Sequence, residues 1–145
     1  MTKRKVGIIH LARGNDVAMA TWIAARLADK GFEVVVSDYV PGGSIYAAFG
    51  RGMLDTEFSL VLLSEASMRD LGLGYAEIRF LGGREKLLPV KVEPCTSAAL
   101  LAGIMMGEIY GQDEAADLAW LERIVRAGLG QPEPHRVSRP PFPQS

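Results

Sequence analysis

Short runs of β-branched and aliphatic residues, apolar on both parities, recur along the chain and limit what it can fold into. They are Val6–His10, Phe32–Ser37, Ser59–Ser64, Leu87–Val92 and, more weakly, Met106–Tyr110. A strand with one wet face alternates apolar and polar residues. Val34-Val35-Val36 and Leu60-Val61-Leu62-Leu63 do not alternate, so both of their faces must be covered. Helical patterns separate the runs, and that alternation builds a parallel sheet. The expectation is an open, doubly wound α/β sandwich with about five strands and five helices.

The first helix follows the first run. Asn15 or Asp16 is placed to cap it, Val17, Ala20, Ile23, Ala24 and Leu27 form one apolar stripe, and Gly31 ends it in the left-handed conformation. A second helix starts at Ser44 with Ile45, Ala48, Phe49 and Met53 inward, although Gly50 and Gly52 each cost it about 1 kcal/mol relative to alanine. A third runs near Gly74 to Gly82, and Cys95–Ile104 makes a short helical or irregular connection. The last helix, Glu114–Ala127, turns Leu118, Leu121, Ile124 and Val125 inward, with Gly128 as its stop. Trp22 and Trp120 fall inside helices and are assigned to packing or an assembly surface. The folded unit is placed at residues 1–130. Five of the eight prolines lie between Pro132 and Pro143, so residues 131–145 read as a tail, either a disordered terminus or a tether to another domain.

Composition removes several function classes. The 16 basic and 17 acidic residues leave a net charge of −1, and only Lys3, Arg4 and Lys5 cluster, which argues against a nucleic-acid partner. Cys95 is the lone cysteine and His10 and His135 lie far apart, so neither a disulfide framework nor a zinc spacing can be written, and no metal is expected. No run approaches the ~20 apolar residues of a membrane span. A cytoplasmic protein without membrane contact is the expectation.

In an open parallel sheet, ligands bind beyond the carboxyl ends of the strands, near the point where strand order reverses. The loops to inspect are His10–Asp16, Asp38–Ser44 and Ser64–Tyr75. No Walker A loop or Gly-x-Gly-x-x-Gly turn follows the first run, which removes the common nucleotide-binding fingerprints. In Asp38-Tyr39-Val40-Pro41-Gly42-Gly43-Ser44-Ile45, Pro41-Gly42 sets a sharp turn and Ser44 can cap a helix whose amides face the crevice. Taken alone this is a turn signal, and Glu77 taken alone is a solvated helix charge. Arg13 and Arg51 are candidates for holding a diphosphate, although a solvated surface role is the more frequent one for either. His10 is either a ligand contact or a satisfied buried histidine.

From about Lys5 to Ala127 the pattern as a whole resembles a bacterial Toll/interleukin-1 receptor (TIR) domain. Val6-Gly7-Ile8-Ile9-His10 resembles the opening strand, without the usual acidic-aromatic start, and Asp38 to Ile45 resembles the BB loop with its Asp and Pro-Gly. Ser59-Leu60-Val61-Leu62-Leu63-Ser64 and Leu87-Leu88-Pro89-Val90 resemble the third and fourth strands. The resemblance implies a flavodoxin-like sandwich, a five-stranded parallel sheet in the order 2-1-3-4-5 with helices on both faces. In catalytic members a glutamate cleaves the nicotinamide–ribose bond of NAD, often with a Trp four residues earlier. Glu77 matches that glutamate, while Leu73 stands at the Trp position and Tyr75 or Tyr39 can supply an aromatic wall.

The resemblance implies NAD as substrate rather than cofactor, contacted by His10, Leu11, Arg13, Asp38, Tyr39, Ser44 and Tyr75. It further implies assembly through Val40, Pro41, Gly42, Gly43 and Ile45, as in an antiphage effector clustered by a sensor domain or partner attached through the C-terminal tail. A single carboxylate suffices for the chemistry. Nicotinamide joined through its ring nitrogen is cationic and leaves as a neutral base, so the step needs charge stabilisation at an oxocarbenium-like ribose rather than a general acid. Water then gives ADP-ribose, and an internal nucleophile gives a cyclic product. Two other classes stand beside this one. One is a non-catalytic adaptor working by self-association. The other is a nucleoside 2-deoxyribosyltransferase-like enzyme, which Gly72-Leu73-Gly74-Tyr75-Ala76-Glu77 loosely resembles. A flavodoxin-like receiver lacks its acidic cluster and phosphoacceptor Asp here.

Overall fold

The computed structural model describes residues 3–40, 47–48, 55–70, 87–94 and 107–130. Strands β1 (Lys5–Leu11), β2 (Glu33–Tyr39), β3 (Phe58–Leu63), β4 (Leu87–Lys91) and β5 (Gly107–Glu108) form one sheet in the order β2-β1-β3-β4-β5. Every pairing is parallel, as expected of runs apolar on both parities. The described helices of regular length are α1 (Gly14–Asp29), α2 (Glu65–Asp70) and α3 (Glu114–Gly128). The expected helices over 44–53 and 74–82, the connection over 95–104 and the tail over 131–145 lie wholly or largely outside the described residues. Within the first of them, Ala47 and Ala48 are helical and Ala48 is fully buried.

All six residues of β3 are buried. Phe58, Leu60 and Leu62 pack into one core with Val6 and Ile8 of β1, Ala20, Ile23 and Leu27 of α1, and Leu121 and Ile124 of α3. Val61 and Leu63, also fully buried, point to the opposite face. Each such side chain contributes about 1.5–3 kcal/mol through burial, so β3 anchors both layers. Phe32 meets Phe58 edge-on with centroids 6.4 Å apart.

The helix phases differ from expectation in a consistent way. On α1 the buried face passes through Asp16, Met19, Ala20, Ile23 and Leu27, while Val17 is 43% exposed. Successive helical residues are rotated by about 100°, so a face centred on Asp16 and Ala20 necessarily turns Val17 outward. On α3, Asp117, Leu121, Ile124 and Val125 are buried and Leu118 is exposed for the same reason. Neither Asn15 nor Asp16 caps α1: the N-cap is Arg13, whose side chain makes no cap bond. The helix starts at Gly14, ahead of both residues, and the Asp16 carboxylate is used elsewhere, accepting from the Ser64 hydroxyl.

At the other ends, Gly31 has φ +94, the left-handed stop expected of it. Gly128 does not stop α3. It is the last helical residue, Leu129 caps the helix, and Gly130 takes φ +72. A Cβ on Gly128 would overlap the Phe58 ring, so this glycine serves a close approach between α3 and β3. Lys30 at the end of α1 reaches Glu122 of α3 at 2.6 Å. That contact holds the Glu122 carboxyl below its ordinary range. Half-exposed ties of this kind contribute at most about 1 kcal/mol.

Candidate functional site

Parallel pairing brings the carboxyl ends of β1 and β2 side by side, with His10 opposite Asp38 and Leu11 opposite Tyr39. The ladder continues one step further, the Ala12 amide donating to the Tyr39 carbonyl at 2.8 Å. Asp38 and Tyr39 therefore belong to β2 and not to the loop expected after it. His10 is 6% exposed, and its Nδ1 lies 2.9 Å from the Leu11 carbonyl oxygen. A carbonyl only accepts, so Nδ1 carries the proton of this bond. His10, Val36, Ser37 and Asp38 line a shallow recess of about 250 Å³ at this edge.

Among the other expected contacts, Leu11 and Tyr39 are buried, and Arg13 and Val40 are exposed. The structure thus gathers His10, Leu11, Arg13, Asp38, Tyr39 and Val40 at one end of β1 and β2. Pro41, Gly42, Gly43, Ser44, Ile45, Arg51, Leu73, Tyr75 and Glu77 lie outside the described residues. Trp22 and Trp120 are half-buried against the core, consistent with packing. A second recess of about 410 Å³ is lined by Met19, Trp22, Gly111, Gln112, Glu114 and Asp117, between α1 and the start of α3.

Sequence reasoning missed a polar network at the same end of the sheet. The stretch after β3 is not a loop as far as Tyr75, because α2 begins at Glu65. The Ser64 hydroxyl donates to Asp16 Oδ2 at 2.8 Å and accepts from the Ser67 amide at 3.2 Å. The Ser64 amide in turn donates to Ser67 Oγ at 2.7 Å. Glu93, beyond β4, accepts from the Glu65 amide at 2.7 Å through Oε1. Asp16 is 4% exposed, and Ser64 and Ser67 are almost completely buried.

Burial pushes the Asp16 carboxyl above its ordinary range. The Ser64 hydrogen bond opposes this, the nearby Glu93 charge adds to it, and His10 and the backbone at Asp16 oppose it. Ser64 follows β3 and Asp16 follows β1, so their bond spans the adjacent strands between which the order reverses. A signal for Asp16 was present, since it stands one turn before Ala20 on the stripe that continues through Ile23 and Leu27. Glu93 left no such signal.

Among the described residues, no group of three or more His, Cys, Asp or Glu side chains is arranged to hold a metal ion. No helix among them is long and apolar enough to cross a membrane. A family model described as TIR domain matches residues 9–125, a span that runs from the end of β1 through most of α3. No curated protein matches the chain.

Proposed function

The chain belongs to the TIR-domain family, and from that premise we propose that it is an NAD glycohydrolase with Glu77 as its reacting carboxylate. The observation that carries the reading is the His10–Asp38 recess, formed by register partners at the carboxyl edge of the sheet. The substrate binds with its nicotinamide ribose towards this edge, and Arg13 stands exposed beside it for the diphosphate.

The bond between the nicotinamide nitrogen and the anomeric carbon breaks with both electrons going to nitrogen. Nicotinamide leaves neutral, and the ribose carries the positive charge that the carboxylate stabilises. Water adds to the anomeric carbon and loses a proton, giving ADP-ribose; attack by an internal nucleophile gives a cyclic product. Orientation of the ribose hydroxyls by the same carboxylate supplies the remainder. TIR domains self-associate, and assembly through Val40 to Ile45 completes the site, as in an antiphage effector triggered by clustering through a partner or sensor domain at the tail.

Purified protein incubated with NAD over a range of protein concentrations should release nicotinamide, resolved by chromatography. Glu77→Gln should abolish release and leave the circular dichroism spectrum unchanged. A wild type that stays silent even in enforced oligomers rejects the reading. Leu73, at the position where catalytic members often carry Trp, favours a second one, a non-catalytic adaptor. In that case Pro41→His abolishes self-association and Glu77→Gln has no consequence.

A further inference from the structure

We propose that the recess between α1 and the start of α3 binds the guanidinium group of a small molecule, independently of the NAD reading. The recess is about 410 Å³ in volume and is walled on one side by Met19 and Trp22. These stand three residues apart on α1 and so share one face of the helix. They supply a thioether and a half-buried indole. The other wall is the turn from β5 into α3, with Gly111, Gln112, Glu114 and Asp117. Asp117 holds that turn, Oδ2 accepting from the Gly111 amide at 2.9 Å and Oδ1 from the Tyr110 amide at 3.3 Å. Gly111, at φ +75, comes so close to α1 that a Cβ on it would stand 3.1 Å from the Met19 sulfur. The two walls are thus fixed before a ligand arrives, as in most small-molecule sites.

Acidic residues at a helix start are ordinary, and two of those here are already in use: Asp113 caps the Ala116 amide and Asp117 holds the turn. What singles out the recess is the set of groups left over beside the indole. The Glu114 carboxylate and the Gln112 amide have no hydrogen-bond or ion-pair partner among the described residues. No Lys, Arg or His joins them among the described lining. An anion entering here meets two carboxylates without a countercharge, so a diphosphate such as that of NAD is repelled. A cation is drawn by the same carboxylates and by the indole face. Among cations, guanidinium matches this set: it is flat, stacks on aromatic rings and is more weakly hydrated than an ammonium. Its N–H donors lie in one plane, where the Glu114 oxygens and the Gln112 carbonyl can accept them together. The chain itself uses the pairing elsewhere, the Arg123 guanidinium carbon lying 5.1 Å from the Trp120 ring centroid. The volume exceeds that of a guanidinium head and leaves room for an aliphatic stem along Met19. A carboxylate on that stem would be repelled.

The probes are butylguanidine, butylamine, N-acetylarginine and N-acetylarginine amide, titrated into the full chain by calorimetry. Nuclear magnetic resonance follows the Trp22 indole N–H, identified by its loss in Trp22→Phe. Butylguanidine should bind at a single site and shift the Trp22 indole and the Gly111 amide, leaving the Trp120 indole unmoved. Butylamine, with the same stem and charge, should bind about tenfold more weakly. N-acetylarginine should bind several-fold more weakly than its amide, the difference being its carboxylate. Glu114→Gln, at an exposed position, should weaken butylguanidine by about 5- to 10-fold. Trp22→Leu should weaken it by about the same factor, and added salt should weaken wild type more than Glu114→Gln. No shift at millimolar butylguanidine, equal binding of butylamine, or unchanged affinity in Glu114→Gln would each overturn the proposal. So would displacement of butylguanidine by NAD. N-acetylarginine amide binding more tightly than butylguanidine would make the ligand an arginine of a polypeptide, and a free compound would be rejected.

Discussion

Asp16 and Asp117 occupy matching places: each is buried in the first turns of its helix, on the stripe that faces the sheet. Asp117 accepts from the Tyr110 and Gly111 amides, and Asp16 from Ser64. Burial and Glu93 raise the Asp16 pKa against the pull of Ser64 and His10, which ties stability to pH. A carboxyl whose pKa is higher folded than unfolded holds its proton more tightly in the native state. Its favourable contribution is full below the unfolded value, near 3.9, and is lost as pH rises through the folded one. Asp16→Asn removes that slope. Urea midpoints at pH 4 and pH 7 should show the variant gaining on wild type as pH rises, with an unchanged difference counting against the assignment. Neither residue was legible as buried, because an Asp on a helix is ordinarily solvated and its partners lie 48 and 6 or 7 positions away. The expected stripes ran through Val17 and Leu118 instead, whereas the structure buries Asp16 and Asp117 one turn before Ala20 and Leu121.

At the scale of elements, the sheet was legible because strands covered on both faces carry no polar parity, and β1 to β4 stand within one or two residues of the runs that announced them. Helix starts were less so. The chain leaves β1 at Leu11 and enters α1 at Gly14, so the cap falls on Arg13, a residue with no capping oxygen. The same arginine is exposed two residues beyond the end of β1, and it is the residue proposed to meet the diphosphate. Function and helix stability therefore pull in opposite directions at this position. Arg13→Ser should stabilise the fold by about 0.5–2 kcal/mol, read as a higher melting temperature. It should also raise KM for NAD several-fold, with kcat little changed. A variant that is stabilised with unaltered KM removes Arg13 from the substrate site without touching the account of the cap.

For the whole molecule, the exposed apolar side chains bear on assembly. β2 is an edge strand, Val36 within it is 47% exposed, and Val40 at its exit is 63% exposed. Both lie at or beside the recess proposed for NAD, so a second copy meeting this edge would cover apolar surface and approach the site at once. The candidate site was legible only as a location, the carboxyl edge near the strand-order reversal. The contacts that complete it involve segments distant in sequence and, on the assembly reading, another copy. Turnover per molecule should then rise with protein concentration and level off when association is complete, followed by light scattering on the same samples. Pro41→His should leave the monomer folded, abolish the rise in scattering and reduce turnover to the dilute-protein level. Tethering two copies should restore turnover in wild type and not in Glu77→Gln. If turnover per molecule is constant across the range and Pro41→His cleaves NAD as wild type does, each chain carries a complete site of its own and the edge of β2 has no part in catalysis.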